Sequence, residues 1–200
     1  WAFSDVAKEA GVTAPWGSFP TWFWDFDNDG WQDLMVTGYS VSGVAEVAAD
    51  YLGLPHAGEK ARLYRNNQDG TFADVTAAAG LSKVLHAMGA NFGDLDNDGW
   101  LDFYVATGDP ALDTLIPNRM FRSDGGRRFQ EVTTSGGFGH LQKGHGVSFA
   151  DLDNDGDQDV HVVMGGAYSG DIARNALFLN PGHGNHWLTL KLEGVATNRA

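Results

Sequence analysis

The sequence predicts an all-β fold of three consecutive four-stranded units, and three observations predict it. An acidic run of the form Asp-x-Asp-Asn-Asp-Gly-x-x-Asp occurs three times, at residues 25–33 (DFDNDGWQD), 94–102 (DLDNDGWLD) and 151–159 (DLDNDGDQD). A second motif, F-x-[DE]-V-[AT], begins at Phe3, Phe72 and Phe129, and its starts are 69 and 57 residues apart, as are the starts of the acidic runs. Two unlike motifs that keep one spacing mark a true internal repeat. The 27 glycines among 200 residues supply the tight turns of a short-stranded fold.

Each copy reads as four strands in order. The first enters the acidic loop as Trp22-Phe23-Trp24, Asn91-Phe92 and Ser148-Phe149. The second leaves it as Leu34-Met35-Val36, Phe103-Tyr104-Val105 and residues 160–163 (VHVV). The third is Leu63-Tyr64-Arg65-Asn66, Met120-Phe121-Arg122-Ser123 and Leu177-Phe178-Leu179-Asn180, each before a turn rich in Gly, Asp or Asn. The F-x-[DE]-V-[AT] element supplies the fourth. From the last Asp of the loop to the third strand is 30 residues in copy one and 18 in the others. The excess places an insertion within 38–62, and its stretch 44–54 (VAEVAADYLGL) predicts a short helix. Four short strands per copy suit the blade of a β-propeller. Residues 1–69, 70–126 and 127–182 are expected to be the three blades, with a different segment from 183 to 200. A parallel α/β fold is excluded because no regular helices separate the strands.

The chain is 42% hydrophobic and 20% charged, which is the composition of a folded protein. Its net charge is −13, and the four recurring Asp positions of the three loops hold 12 of the 26 acidic residues. The remainder is close to neutral. Such acidity argues against a nucleic-acid partner, which requires a basic face. There is no cysteine, hence no disulfide and no thiolate metal site. No apolar run reaches membrane-spanning length. The chain starts at Trp1 and not at Met, and it is expected to be an excised or processed piece of something longer.

Clustered carboxylates repel one another unless a cation lies among them, and a hard divalent ion with oxygen ligands is the natural resident. Calcium fits best, with three sites expected, one per repeat. Positions 1, 3 and 5 offer Asp25, Asp27 and Asp29; Asp94, Asp96 and Asp98; Asp151, Asp153 and Asp155. Position 7 offers a backbone carbonyl from Trp31, Trp100 or Asp157. Position 9 closes the set with Asp33, Asp102 or Asp159. Gly30, Gly99 and Gly156 permit the bend. An EF-hand needs Glu at position 12, where this chain has Val36, Val105 and Val162. Dockerin copies lie closer together and run into helices.

At these residues the chain resembles the FG-GAP/VCBS repeat family, to which integrin α-subunit propellers belong with similar calcium loops. Among its members the chain is most similar to bacterial proteins with an ASPIC/UnbV C-terminal domain and to the cartilage acidic protein family. Residues 72–81 (FADVTAAAGL), the acidic loops and residues 185–200 (NHWLTLKLEGVATNRA) carry the likeness. The resemblance implies propeller blades, an extracytoplasmic location (extracellular, cell-surface or periplasmic) and a binding or adhesive role, and it does not imply an enzyme activity; repeated once per blade beneath the strands, the calcium is expected to be structural and the chain not to be an enzyme. A propeller ring normally has more than three blades, so further blades of a parent chain or self-association are expected to cover the exposed edges.

Other chemistry is possible at several residues. His140, Lys143 and His145 precede the third loop, His86 precedes the second, and His183 and His186 invite a zinc reading that lacks a third ligand. Ser40 and Ser42 do not form a nucleophile elbow, because Ser42 stands where glycine is needed. No P-loop or dinucleotide fingerprint is present. Trp31 and Trp100 could stack on sugars. The insertion and residues 109–118 (DPALDTLIPN) are the natural loops for a protein or glycan ligand. Part of a calcium-dependent polysaccharide-active enzyme is the alternative reading, and a self-assembling module a further one.

Overall fold

The structure is a computed structural model that describes residues 2–39, 43–166 and 168–191. In chain order it contains α1 (Ala7–Ala10), β1 (Ser18–Trp24), β2 (Asp33–Gly38), α2 (Val44–Tyr51), β3 (Arg62–Asn66), β4 (Phe72–Asp74), β5 (Ala87–Gly93), β6 (Asp102–Thr107), β7 (Arg119–Asp124), β8 (Arg128–Glu131), β9 (Gly144–Ala150), β10 (Asp159–Met164) and β11 (Ala176–Phe178). The strands form three antiparallel sheets in sequential order: β1 to β4, β5 to β8, and β9 to β11. This is the meander of a propeller blade, and the expected helix of the insertion is α2.

The first strands of the sheets lie side by side, β1 beside β5 and β5 beside β9. Gly89 makes the second approach possible, since a Cβ there would overlap the His145 carbonyl oxygen. Between the first two sheets lies an aromatic core of Trp24, Met35, Leu63, Phe103, Val105, Phe121 and Phe129. Trp24 stacks on Phe129 at 5.6 Å and meets Phe103 edge-on at 5.6 Å. Between the second and third sheets lie Tyr104, Ala106, Met120, Val160, Val162 and Met164. Successive side chains of a strand point to opposite faces, so β6 feeds Phe103 and Val105 into one core and Tyr104 and Ala106 into the other. All six of its residues are buried, which is why its sequence is apolar without alternation.

Three expectations need correction. The third sheet has three strands among the described residues, not four. Residues 186–191 do not repeat F-x-[DE]-V, and the segment is drawn elsewhere: Asn185 donates to the Asp96 carbonyl at 2.7 Å, and Trp187 lies over Gly156. The sheets are also offset from the repeats. Phe72 and Phe129, which open copies two and three, lie on the outer strands of the preceding sheets, because the turn after β3 or β7 folds the next motif straight back. Phe3-Ser4-Asp5-Val6 is not a strand and has no strand beside it among the described residues; α1 comes directly after it. The segment expected at 183–200 is described only to residue 191.

Candidate metal centres

The three acidic loops connect the first and second strands of their sheets, so all lie at one end of the molecule. A shared hydrogen-bond plan folds each. The position 1 carboxylate accepts the N–H groups of positions 5 and 6: Asp25 from Asp29 and Gly30 at 3.0 and 2.9 Å, Asp94 from Asp98 and Gly99 at 3.1 and 2.9 Å, Asp151 from Asp155 and Gly156, both at 3.1 Å. The position 5 carboxylate accepts the N–H of position 7, from Trp31, Trp100 and Asp157. The glycine at position 6 has φ of +86°, +88° and +93° in the three loops, a region that L residues disfavour.

Position 9 ties the loop to its sheet. Asp33 accepts from Phe26 and from Asn66 at the end of β3 at 3.2 and 2.8 Å; Asp102 accepts from Leu95 and Ser123 at 2.8 and 2.7 Å; Asp159 accepts from Leu152 and Asn180 at 3.0 and 2.9 Å. All three are buried. Burial pushes the Asp33 carboxyl up to about 6 and that of Asp102 up to about 7, against the partial opposition of those N–H donors.

One carboxylate oxygen each from Asp25, Asp27 and Asp29 lies within 4.8 Å of the others, and the same holds for Asp94, Asp96 and Asp102, and for Asp151, Asp153 and Asp155. The loops thus bring together positions 1, 3 and 5 in the first and third copies, and positions 1, 3 and 9 in the second. Position 3 stands apart from the hydrogen-bond plan. Oδ1 of Asp27 and Oδ1 of Asp96 are buried with no hydrogen-bond partner, and Asp96 is only 6% exposed. Burial, then the charges of Asp29 and Asp25, raise the Asp27 carboxyl above the usual range. An anionic oxygen sealed from water without a donor is costly; a cation among these oxygens would remove that cost.

Sequence reasoning missed the asparagine at position 4. Asn28 donates to the Gly99 carbonyl of the second loop at 2.9 Å. Asn97 donates to the Gly156 carbonyl at 3.1 Å and to Asp157 at 2.6 Å in the third. The first loop therefore braces the second, and the second braces the third. The signal was present, since Asn recurs in all three copies and no ligand role explains it. Its φ of +53°, +54° and +62° at Asn28, Asn97 and Asn154 fits the tolerance of Asn for the left-handed region.

The other candidates fall outside these centres. Lys143 is buried and paired with Asp171 at 2.9 Å. His145 Nε2 lies 3.0 Å from the Gly165 carbonyl, and His140 Nδ1 accepts the Gln142 N–H. His183 and His186 are exposed and join no metal-ligand group among the described residues. Ser40 and Ser42 lie outside the described residues. Trp31 is 47% exposed, whereas the Trp100 indole packs on Gly126 so closely that a Cβ there would overlap it. At the opposite end of the sheets, α2 and the 109–118 segment come together: Val47, Tyr51, Leu115 and Ile116 line one cavity of about 790 Å³ with Arg119 and Thr133.

A family model described as FG-GAP-like repeat matches residues 25–105 and 107–162. No curated protein matches the chain.

Proposed function

Because the chain belongs to the FG-GAP-like repeat family, we propose that it is a calcium-binding propeller module, extracellular or periplasmic, that recognises a protein or glycan and performs no catalysis. The single observation that carries the calcium reading is the orphaned, buried Oδ1 of Asp96 inside a group of carboxylates. Oxygens bound to one calcium at about 2.3–2.6 Å lie within about 5 Å of each other, and the three groups meet that spacing. Asp25, Asp27 and Asp29, Asp94, Asp96 and Asp102, and Asp151, Asp153 and Asp155 would hold the ions, with the carbonyls of Trp31, Trp100 and Asp157 as further ligands and Asp98, Asp33 and Asp159 beside them.

The role of the ion is structural. It neutralises the loops and fixes the turn from first to second strand. At a calcium concentration of about 1 mM and a Kd near 10⁻⁴ M, each site adds about 1.4 kcal/mol. Recognition belongs to the opposite end, where two variable loops build the apolar cavity. The sequence of residues 185–200 is similar to the start of an ASPIC/UnbV segment. No helix among the described residues is long and apolar enough to cross a membrane.

Melting curves of chelator-stripped protein test the reading. Calcium is expected to raise the melting temperature strongly and magnesium weakly. An unchanged melting temperature in calcium contradicts a structural ion.

A further inference from the structure

We propose that the cavity between α2 and the 109–118 segment binds an aliphatic monocarboxylic acid, with its carboxylate on Arg119 and its hydrocarbon body between α2 and Leu115 and Ile116. The inference rests on the reading that recognition belongs to this end of the molecule, and it adds a small-molecule site there.

The polar end of the site is Arg119. It opens β7 opposite Val105 and is 5% exposed, yet it lines the cavity. A guanidinium is a fixed positive charge with five N–H donors in a planar fork. Its Nε is buried without a hydrogen-bond partner, and its Nη1 lies 3.8 Å from Glu131 Oε2, beyond hydrogen-bond reach. Glu131 is already engaged. Its Oε2 is 3.5 Å from Lys83 Nζ, and its Oε1 accepts the Thr133 hydroxyl at 3.1 Å. Two cations thus share one carboxylate. A buried charge without its full set of partners is costly, and a second carboxylate would supply what is missing. A carboxylate also matches the fork with two parallel bonds. One unmatched cation beside an acidic residue suits a monoanion, since Glu131 would repel a phosphate dianion more strongly.

The rest of the wall is mostly hydrocarbon, because the carboxylates of α2 are used elsewhere. Glu46 accepts the Ala57 and Gly58 N–H groups at 2.8 and 2.7 Å. Asp50 accepts that of Val84 at 3.0 Å and pairs with His56 and Lys60 at 3.1 and 3.2 Å. The helix therefore gives the cavity Val44, Val47, Ala48 and Tyr51, with Leu115 and Ile116 from the other segment. Val44, Tyr51 and Leu115 are exposed, an apolar rim that an alkyl chain would cover. Tyr51 is the single aromatic ring in the wall among the described residues, so the wall suits an aliphatic body better than a sugar. The volume of about 790 Å³ lies in the range of small-ligand sites.

Calorimetric titration of the full 200-residue chain with decanoate in the presence of calcium tests this, with 1-decanol as the neutral control. Decanoate is expected to saturate one site and to bind at least tenfold more tightly than 1-decanol. Arg119→Met keeps an unbranched stem, removes the charge and should erase that preference. Ala48→Phe, at an exposed helix position, should fill the cavity and weaken decanoate at least tenfold with an unchanged melting temperature. Calcium-dependent melting of the same samples reads the acidic loops separately, so the two readings fail independently. No saturable binding, or equal binding of decanoate and 1-decanol, overturns the ligand class and leaves this end to a larger partner. Decanoate binding unaffected by both substitutions overturns the placement in this cavity.

Discussion

The second and third acidic loops begin with the same six residues, Asp-Leu-Asp-Asn-Asp-Gly, yet they occupy different surroundings. Asp96 and Asp102 of the second loop are buried, whereas Asp151, Asp153 and Asp155 of the third are exposed. The second loop is braced from both sides. Asn28 holds its Gly99 carbonyl, Asn185 its Asp96 carbonyl, and its own Asn97 reaches into the third loop. Arg122 also meets Asp96 at 3.0 Å. Asn154 of the third loop is exposed, with no side-chain hydrogen bond among the described residues. Local sequence therefore sets the loop's shape, and the adjoining sheets set its burial and the energy of its carboxylates.

The strongest way to break this difference is to loosen the first sheet from the second. Trp24→Ala empties the middle of the aromatic core and is expected to cost about 3–5 kcal/mol in denaturant unfolding. A smaller effect separates the loops themselves. Asp96→Asn should abolish about 1.4 kcal/mol of calcium-dependent stabilisation, and in the metal-free protein it exchanges the Arg122 ion pair for a neutral contact. Asp153→Asn, at an exposed position, should leave the stability of the metal-free protein unchanged. Calcium-dependent melting of the two variants checks both.

The asparagine braces come next in size. Glycine accepts the left-handed backbone, so Asn97→Gly isolates the lost hydrogen bonds and should cost about 0.5–1.5 kcal/mol. Asn154→Gly should be neutral within about 0.5 kcal/mol. Equal losses would show that the brace between loops contributes nothing.

The smallest effect is a slope with pH at the other end of the contact between the first two sheets. His86 is buried, stacked on Tyr39 at 4.6 Å, and 3.0 Å from Asp109. Burial lowers its pKa, and Asp109 offsets this only in part. The unfolded chain thus binds the proton more readily than the folded one. Stability is full above about pH 6.5 and falls as the pH drops below it. His86→Phe should flatten that part of the curve, measured by melting at fixed calcium.

Much of this arrangement was legible in the sequence because two motifs kept one spacing. That spacing located the acidic loops, the strands around them and the insertion that became α2. It could not show which sheet Phe72 and Phe129 would join, since an outer strand is assigned by backbone pairing and not by the order of motifs. It could not show that Trp187 would leave the repeat pattern to cover Gly156, a contact between residues distant in sequence. Nor could it separate Asp96 from Asp153, whose local sequences are the same and whose neighbours differ.

The central claim is that the loops are held by calcium, and calorimetric titration of the chelator-stripped protein tests it most directly. The account predicts binding near one ion per loop, with one site lost in Asp96→Asn. No heat and no saturable binding would contradict it and leave the acidic loops as turns folded by their own hydrogen bonds.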